Sequence, residues 1–220
     1  MTLKVGFIGL GRMGTPMAAN IAAAGFPVSL YARRVGRAEE AAAQMGASVC
    51  SNPCEIGASC DVVILMLSDE HAIREVFDGS EGLIAGLQAG SIVVDMGTTG
   101  ISGTRLIAEA TKSVGAHLVD APVSGSTAAA ASATLTVMAG GDPDIVTRVT
   151  PVLEAMSGSV YYMGVSGTGA AMKLAVNAVI FAIGQAVSEA LVLAEKTGIS
   201  RETAYDVFEN SAVAAPMVKY

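Results

Sequence analysis

The sequence predicts an α/β chain: a doubly wound, mainly parallel sheet, followed by one long helix and the start of an all-α region. Three observations carry that expectation. Short apolar runs alternate with alanine-rich helical stretches from Lys4 to about Tyr162, which is the pattern of strands and helices covering both faces of a parallel sheet. A glycine-rich segment, Gly164-Val165-Ser166-Gly167-Thr168-Gly169, then interrupts the alternation and reads as a hinge. Beyond it, Ala170 to Thr197 reads as one helix of roughly 28 residues, about 40 Å long, which is too long for a crossover within a compact sheet. The expected division is therefore a sheet domain over 1–163 and a helical portion over 164–220.

Strands are expected at Lys4–Ile8, Val28–Tyr31, Val62–Leu67, Ile92–Asp95, His117–Ala121, Thr134–Ala139 and Ser159–Tyr161, each a short run of mostly apolar residues. Pro16 to Ala24 is expected as the first helix. Asp142 and Pro143 have the chemistry of an N-cap and a first-turn proline, opening a helix that ends near Met156. The long helix is apolar on nearly every face through Leu174, Val176, Val179, Ile180, Phe181, Ile183, Val187, Leu191 and Val192, and a helix of that kind is normally buried all round. Gly198 ends it, and Arg201 to Asn210 begins another. Too little follows to bury the long helix, so a further C-terminal helical portion or a dimer is expected to cover it.

The composition is 52% hydrophobic and 15% charged, with a net charge of -7. That balance argues against a disordered chain and against electrostatic capture of nucleic acid, leaving small molecules or a second copy as expected partners. The most apolar stretch, Ala170 to Ala194, contains Lys173, Asn177, Gln185, Ser188 and Glu189. No run of about 20 apolar residues survives there, so no membrane association is expected. Met1-Thr2-Leu3-Lys4 leads straight into the first strand without the features of a leader, and a cytoplasmic protein is expected. Cys50, Cys54 and Cys60 lack the spacing of a zinc knuckle or a thioredoxin motif and read as reduced thiols. With only His71 and His117, a Ser-His-Asp relay is poorly supplied and no metal site is expected. A proton donor must be of another type.

The first strand leads into Gly9-Leu10-Gly11-Arg12-Met13-Gly14. This spacing is weak alone, but here a buried strand precedes it and a helix follows. The first glycine permits a tight turn, the second lets backbone approach a pyrophosphate, and the third lets helix pack on strand. The phosphates then meet the amide groups at the helix N-terminus. Together these features predict a Rossmann domain that binds a dinucleotide. Sites that prefer NAD place Asp or Glu at the end of the second strand, whereas this chain has Leu30-Tyr31-Ala32-Arg33-Arg34, with Arg37 close behind. Two guanidinium groups suit a 2′-phosphate through paired, charge-assisted hydrogen bonds. NADP(H) is therefore the expected cofactor, with NAD(H) possible.

Three segments together are similar to the β-hydroxyacid dehydrogenase family, which includes 3-hydroxyisobutyrate dehydrogenase and the glyoxylate/succinic semialdehyde reductases. They are Gly6 to Ala18 around the glycine turn, Asp120-Ala121-Pro122-Val123-Ser124-Gly125-Ser126, and Gly167-Thr168-Gly169-Ala170-Ala171-Met172-Lys173-Leu174-Ala175-Val176-Asn177. Their order and spacing agree along essentially the whole chain. The resemblance implies a Rossmann domain, a long interdomain helix, and a helical C-terminal domain that closes the active site and mediates dimerisation. It also implies reversible hydride transfer between the nicotinamide and the carbonyl carbon of a small aldehyde or keto acid. The family's catalytic lysine falls on Lys173, and its substrate-carboxylate loop falls on Ser124, Gly125 and Ser126.

Residue chemistry supports that assignment, because reducing a carbonyl places negative charge on oxygen and needs a proton donor beside it. Lys173 stands near the start of the long helix, and Asn177 is four residues later on the same face, able to bond the substrate or orient the ammonium. With less force the resemblance places Met66, Leu67 and Ser68 beside the cofactor, and Thr98 beside the nicotinamide. The chain departs from the family at Ser126 and Gly97, which replace a commoner glycine and serine. Ala133 stands where a glycine is usual, and a tighter local backbone is expected there. The Pro-Val-Ser-Gly-Ser version of the substrate loop looks like that of the glyoxylate/succinic semialdehyde reductases.

The leading expectation is an NADP(H)-dependent reductase of small carboxylated aldehydes or keto acids. Imine reductases share the scaffold but usually replace the lysine. A 6-phosphogluconate dehydrogenase would need a longer chain and phosphate-binding residues. A dinucleotide-binding module without turnover is the alternative from another class.

Overall fold

In the computed structural model, residues 2–214 are described. The chain runs β1 (Val5–Ile8), α1 (Gly14–Ala23), β2 (Val28–Tyr31), α2 (Val35–Met45), β3 (Ser48–Val49), α3 (Pro53–Ser59), β4 (Val62–Leu65), α4 (Glu70–Phe77), α5 (Leu83–Gly86) and β5 (Ile92–Asp95). It continues with α6 (Gly100–Ser113), β6 (His117–Asp120), β7 (Val123–Ser124), α7 (Thr127–Ala131), β8 (Leu135–Gly140), α8 (Pro143–Glu154), β9 (Ser157–Gly164), α9 (Thr168–Lys196) and α10 (Arg201–Glu209). Two compact units result, Met1–Lys173 and Leu174–Tyr220, with the division inside α9.

In the first unit the strands lie in the order β3-β2-β1-β4-β5-β6-β8-β7, with β9 paired to β8. From β3 to β6 every pairing is parallel, and β8 then runs antiparallel to β6 and β7. The inner strands β1, β4 and β5 are buried at every residue, as expected of parallel strands covered on both faces. Alternate side chains feed the two faces. Val5, Phe7, Ile64 and Val94 join Met17 and Ile21 of α1 and Val149 of α8 on one side. Ile8, Val63, Leu65 and Val93 join Ile56, Ile73, Phe77, Leu83 and Ile107 on the other.

From β1 the chain moves one way to β2 and β3, and after α3 it returns to build β4, β5 and β6 on the other side. The reversal between β1 and β4 is a topological switch point, where ligands bind beyond the carboxyl ends of the strands in such folds.

The expected elements differ from the observed ones in instructive ways. The strand drawn to Leu67 stops at Leu65, because Met66 and Leu67 turn out over the sheet edge. Two-residue β3 and β7 carry too little pattern to be read, and β7 places Val123 and Ser124 in a ladder with β8 where a simple turn was expected. Asp142 does cap α8, accepting from the N–H groups of Asp144 and Ile145, with Pro143 in the first turn. Cys50 and Cys54 are half-buried and Cys60 is buried, all as free thiols.

The described residues leave much of the apolar surface of the long helix uncovered, so the burial that its pattern calls for is not supplied within them. Met172 is 42%, Phe181 73% and Leu193 68% exposed. In the second unit the described cover amounts to α10, and Leu191 and Ala204 are the buried apolar residues there. By length and composition α9 is long and apolar enough to cross a membrane. This tempers the sequence reading: the polar residues along it are spaced widely enough to leave the average hydropathy high.

Candidate functional site

The carboxyl edge of the sheet gathers most of the predicted residues. Arg33 and Arg34 follow β2, the glycine turn follows β1, Met66 to Ser68 follow β4, Thr98 follows β5, and Ser124 to Ser126 follow β6. From β2 to β6 is four strand spacings, roughly 19 Å, which lays a track across the edge long enough for an extended dinucleotide.

The glycine turn shows a distinct reason for each glycine. Gly9 has φ +106°, a conformation that side chains rarely adopt, and a Cβ on it would overlap the Met66 carbonyl. A Cβ on Gly14 would overlap the Gly9 carbonyl oxygen and lie 3.0 Å from Phe7 Cε1, so this glycine lets α1 close on β1. Gly11 differs from both: nothing lies within 4 Å of where its Cβ would be. The protein itself does not require a glycine there, whereas a phosphate resting on the backbone would.

Among the described residues the N–H groups of Leu10, Arg12 and Met13 take no hydrogen-bond acceptor, and α1 begins at Met13 without a side-chain cap. Uncompensated N–H groups at the head of a helix form an anion site. These residues fit a dinucleotide pyrophosphate.

Beside this turn lies a cleft of about 340 Å³ lined by Gly9, Leu10, Gly11, Arg33, Arg34, Met66, Leu67 and Ser68. Eight of the predicted cofactor residues thus share one cavity. Arg12, Met13 and Gly14 belong to the turn beside it, and Thr98 is exposed beyond β5. Tyr31 and Arg37 also line it, as does Glu75, which no motif singled out. Glu75 comes from α4 and reaches Arg33, Oε2 to Nη1 at 2.6 Å. Sequence spacing gave no signal for that contact, which joins side chains 42 residues apart.

Two buried acids organise the other half of the edge. Asp95 is 2% exposed; its carboxylate accepts from Gly97 N–H at 3.0 Å and from the Thr99 hydroxyl at 2.8 Å. It thereby fixes the turn that carries Thr98. Gly97 is closely packed here, since a Cβ would lie 2.5 Å from the Leu67 carbonyl and 3.2 Å from Asp95 Oδ1. The glycine that departs from the family pattern therefore suits a backbone with no room for serine.

Asp120, 1% exposed, ends β6 and accepts from Gly167 N–H at 2.6 Å and Ala170 N–H at 2.8 Å. A buried carboxylate from the sheet thus occupies the N-terminus of α9, the favourable end of the helix for negative charge. Burial raises the carboxyl pKa of both acids, outweighing the hydrogen bonds that lower it.

Asp120 is what brings the residues expected on the substrate side into one frame. Four residues after it stands Ser124, half-buried at the end of β7, followed by Gly125 with φ +145°. Three residues after Ala170 stands Lys173, half-buried, its ammonium pKa lowered by burial. One carboxylate therefore sets both the strand end that leads to the serine turn and the helix turn that carries the lysine. Ser126 has a structural task of its own, accepting from Ala129 N–H at 3.3 Å as the N-cap of α7. Asn177 lies one turn beyond Lys173 on α9, in the portion that belongs to the second unit.

Ala133, expected to sit in a tight backbone, has φ +55°, the left-handed region in which a glycine costs nothing and an alanine is strained. The Asp120 and Asp95 contacts and the Glu75 pair are the parts of the site that motif reading missed. Two acids ending adjacent strands in register offered a faint signal.

The family model for the NAD binding domain of 6-phosphogluconate dehydrogenase matches residues 4–164. A second, for the NAD-binding domain of NADP-dependent 3-hydroxyisobutyrate dehydrogenase, matches residues 167–219 and so takes in α9. Glyoxylate/succinic semialdehyde reductase 2 of Arabidopsis thaliana is 34% identical over 98% of this chain and 60% of its own length. Glyoxylate/succinic semialdehyde reductase 1 of the same plant is 36% identical over 99% of this chain and 75% of its own. The chain thus spans 60% to 75% of these two relatives. Among solved structures, the 3-hydroxyisobutyrate dehydrogenase of Mycobacterium tuberculosis with L-serine superposes with a TM-score of 0.87 at 35% identity, over 99% of this chain and 74% of that one.

Proposed function

The chain belongs to the β-hydroxyacid dehydrogenase family, and we propose that it is an NADP(H)-preferring reductase of small carboxylated aldehydes or keto acids, of the glyoxylate, succinic semialdehyde or 3-hydroxyisobutyrate type. The family is one of NAD(P)-dependent oxidoreductases. The observation that carries the proposal of turnover is the Asp120 carboxylate, which joins the Ser124 turn to the first turn of the helix bearing Lys173. A module built only to bind a dinucleotide has no use for a half-buried lysine held at that place.

The nicotinamide, when bound, supplies or accepts the hydride. Lys173 gives its proton to the carbonyl oxygen as charge develops there, and takes it back in the reverse direction. Its lowered pKa eases that donation by bringing the ammonium nearer working pH. The Ser124 hydroxyl and Gly125 N–H hold the substrate carboxylate, with Ser126 shaping the turn through its cap. Asn177, by its spacing, shares the face of Lys173 and orients the ammonium or the substrate. Leu10, Arg12 and Met13 offer N–H groups to the pyrophosphate, and Arg33 and Arg34 face the 2′-phosphate. Met66, Leu67, Ser68 and Thr98 flank the ribose and nicotinamide side.

A homodimer that covers the exposed apolar surface of α9 belongs to the same reading, as does a cytoplasmic location. Sedimentation of the purified chain tests the first and cell fractionation the second.

Activity is tested by following NADPH and NADH absorbance with glyoxylate, succinic semialdehyde, methylmalonate semialdehyde and tartronate semialdehyde. Oxidation of NADPH by at least one of them is expected. Silence with all four, at concentrations where NADPH binding is demonstrated, favours a binding module instead. Arg33→Ala with Arg34→Ala is expected to weaken NADPH far more than NADH; equal losses would remove the 2′-phosphate assignment.

A further inference from the structure

The Arg33 guanidinium is already engaged. Its Nη1 is 2.6 Å from Glu75 Oε2, and the other Glu75 oxygen is 3.4 Å from Nε2 of His71, one turn earlier on α4. Glu75 also lines the cleft shared by the glycine turn, Arg33, Arg34 and Arg37. Among the described residues, Arg34 and Arg37 carry no ion pair.

We infer that Glu75 is a specificity-determining residue of the cofactor cleft, lowering the preference for a 2′-phosphorylated dinucleotide over one that bears a free 2′-hydroxyl. The inference rests on the reading that this cleft takes the adenosine ribose of NAD(P). A 2′-phosphate carries close to two negative charges at neutral pH. To reach Arg33 it must share or displace the guanidinium edge that Glu75 holds, and it must rest beside a second anion. A 2′-hydroxyl meets no such penalty and can donate a hydrogen bond to the same carboxylate.

In sites that prefer NAD, the acid that accepts from the ribose stands at the end of the second strand. Here Arg33 and Arg34 follow that strand, and α4 brings an acid into the same cleft from the other side of the switch point. The cleft therefore holds donors suited to one cofactor and an acceptor suited to the other. The pair is exposed, with Arg33 at 69% and Glu75 at 36% of their side-chain surfaces, so its effect is modest and screened by salt.

The experiment is calorimetric titration of the full chain with NADPH, NADH, 2′,5′-ADP and 5′-ADP, for the wild type, Glu75→Gln and Glu75→Ala. In both variants the two 2′-phosphorylated ligands are expected to tighten by about 1.4- to fivefold, the range of a weak exposed pair. NADH and 5′-ADP should hold or weaken. A ratio of NADPH to NADH affinity that moves in neither variant overturns the inference, even where the wild type prefers NADPH. A wild type that binds both equally, with the ratio rising in Glu75→Gln, supports it while removing the proposed NADPH preference. Failure of all four ligands to bind removes the cofactor reading and this inference together.

Discussion

Gly11→Ala places a methyl group in open space when the protein stands alone, because no atom lies within 4 Å of the new Cβ. Gly11 also lacks the positive φ that Gly9 shows. Such a change commonly stabilises by about 0.4–1 kcal/mol through the unfolded chain, and a chain of this size gains about 2–4 °C in Tm per kcal/mol. The variant is expected to melt at or slightly above the wild type. Its methyl group stands where a pyrophosphate would rest, and the uncompensated N–H groups of the turn lose their close approach. Losing one hydrogen bond to a charged group costs about 1.5–3 kcal/mol, which is roughly 10- to 150-fold in Kd.

Gly14→Ala is the control. Its Cβ overlaps the Gly9 carbonyl, and overpacking of this kind costs about 1–3 kcal/mol, lowering Tm by roughly 2–12 °C. Differential scanning calorimetry and NADPH titration of both variants check the pair. Wild-type affinity in Gly11→Ala, or a loss of Tm as large as that of Gly14→Ala, would refute the division of labour within the turn.

Lys173→Ala is expected to lower kcat/KM by about 10²- to 10⁴-fold while the NADPH Kd stays unchanged; unaltered turnover would remove the lysine from its role. Because burial lowers the Lys173 pKa, reduction in the wild type should fall as pH rises through a value below the usual 10.5, a profile that steady-state rates will show. Ala133→Gly should relieve about 1–2 kcal/mol of left-handed strain against about 0.4–1 kcal/mol of added unfolded-state freedom, a net gain visible as a small rise in the denaturant midpoint. Asp95→Asn tests the buried acids through pH. Since burial raises the folded-state pKa of Asp95 above its ordinary 3.8, its stabilising share is complete below that ordinary value and is lost as pH climbs through the raised one. The variant's unfolding free energy, measured by urea titration across that window, should therefore fall less with rising pH than the wild type's; parallel curves would contradict the raised pKa.

Much of the fold was legible because its inner strands are short, continuous aliphatic runs and its helices are alanine-rich, so the period changes at every boundary. The glycine turn was legible for the same reason that it works: a strand, three spaced glycines and a helix leave few other uses. What escaped reading falls into two kinds. Elements as short as Ser48–Val49 and Val123–Ser124 have no period to detect. Contacts between distant residues, such as Asp120 to Gly167 and Arg33 to Glu75, are created by the arrangement of the sheet and leave no local trace. The long helix is a third case. Its apolar surface was read correctly, but a sequence pattern states only that a face needs cover and not which chain supplies it.

The two buried acids show how the edge of this sheet trades stability for placement. Asp95 and Asp120 end neighbouring strands in register, where aliphatic side chains would bury without the desolvation penalty of a charge. Each carboxylate instead binds backbone or hydroxyl donors of a loop: Asp95 holds the turn after β5, and Asp120 holds the entry to α9. Neither ion-pairs with lysine or arginine among the described residues, so the raised pKa values are the thermodynamic mark of that choice. Glycine-rich entries such as Gly164 to Gly169 are entropically free to wander, and hydrogen bonds from Gly167 and Ala170 to a fixed anion remove that freedom one turn before Lys173. The hinge read from the sequence is thus pinned at its far end. The lysine of the proposed reaction is carried by the element the sheet itself holds in place.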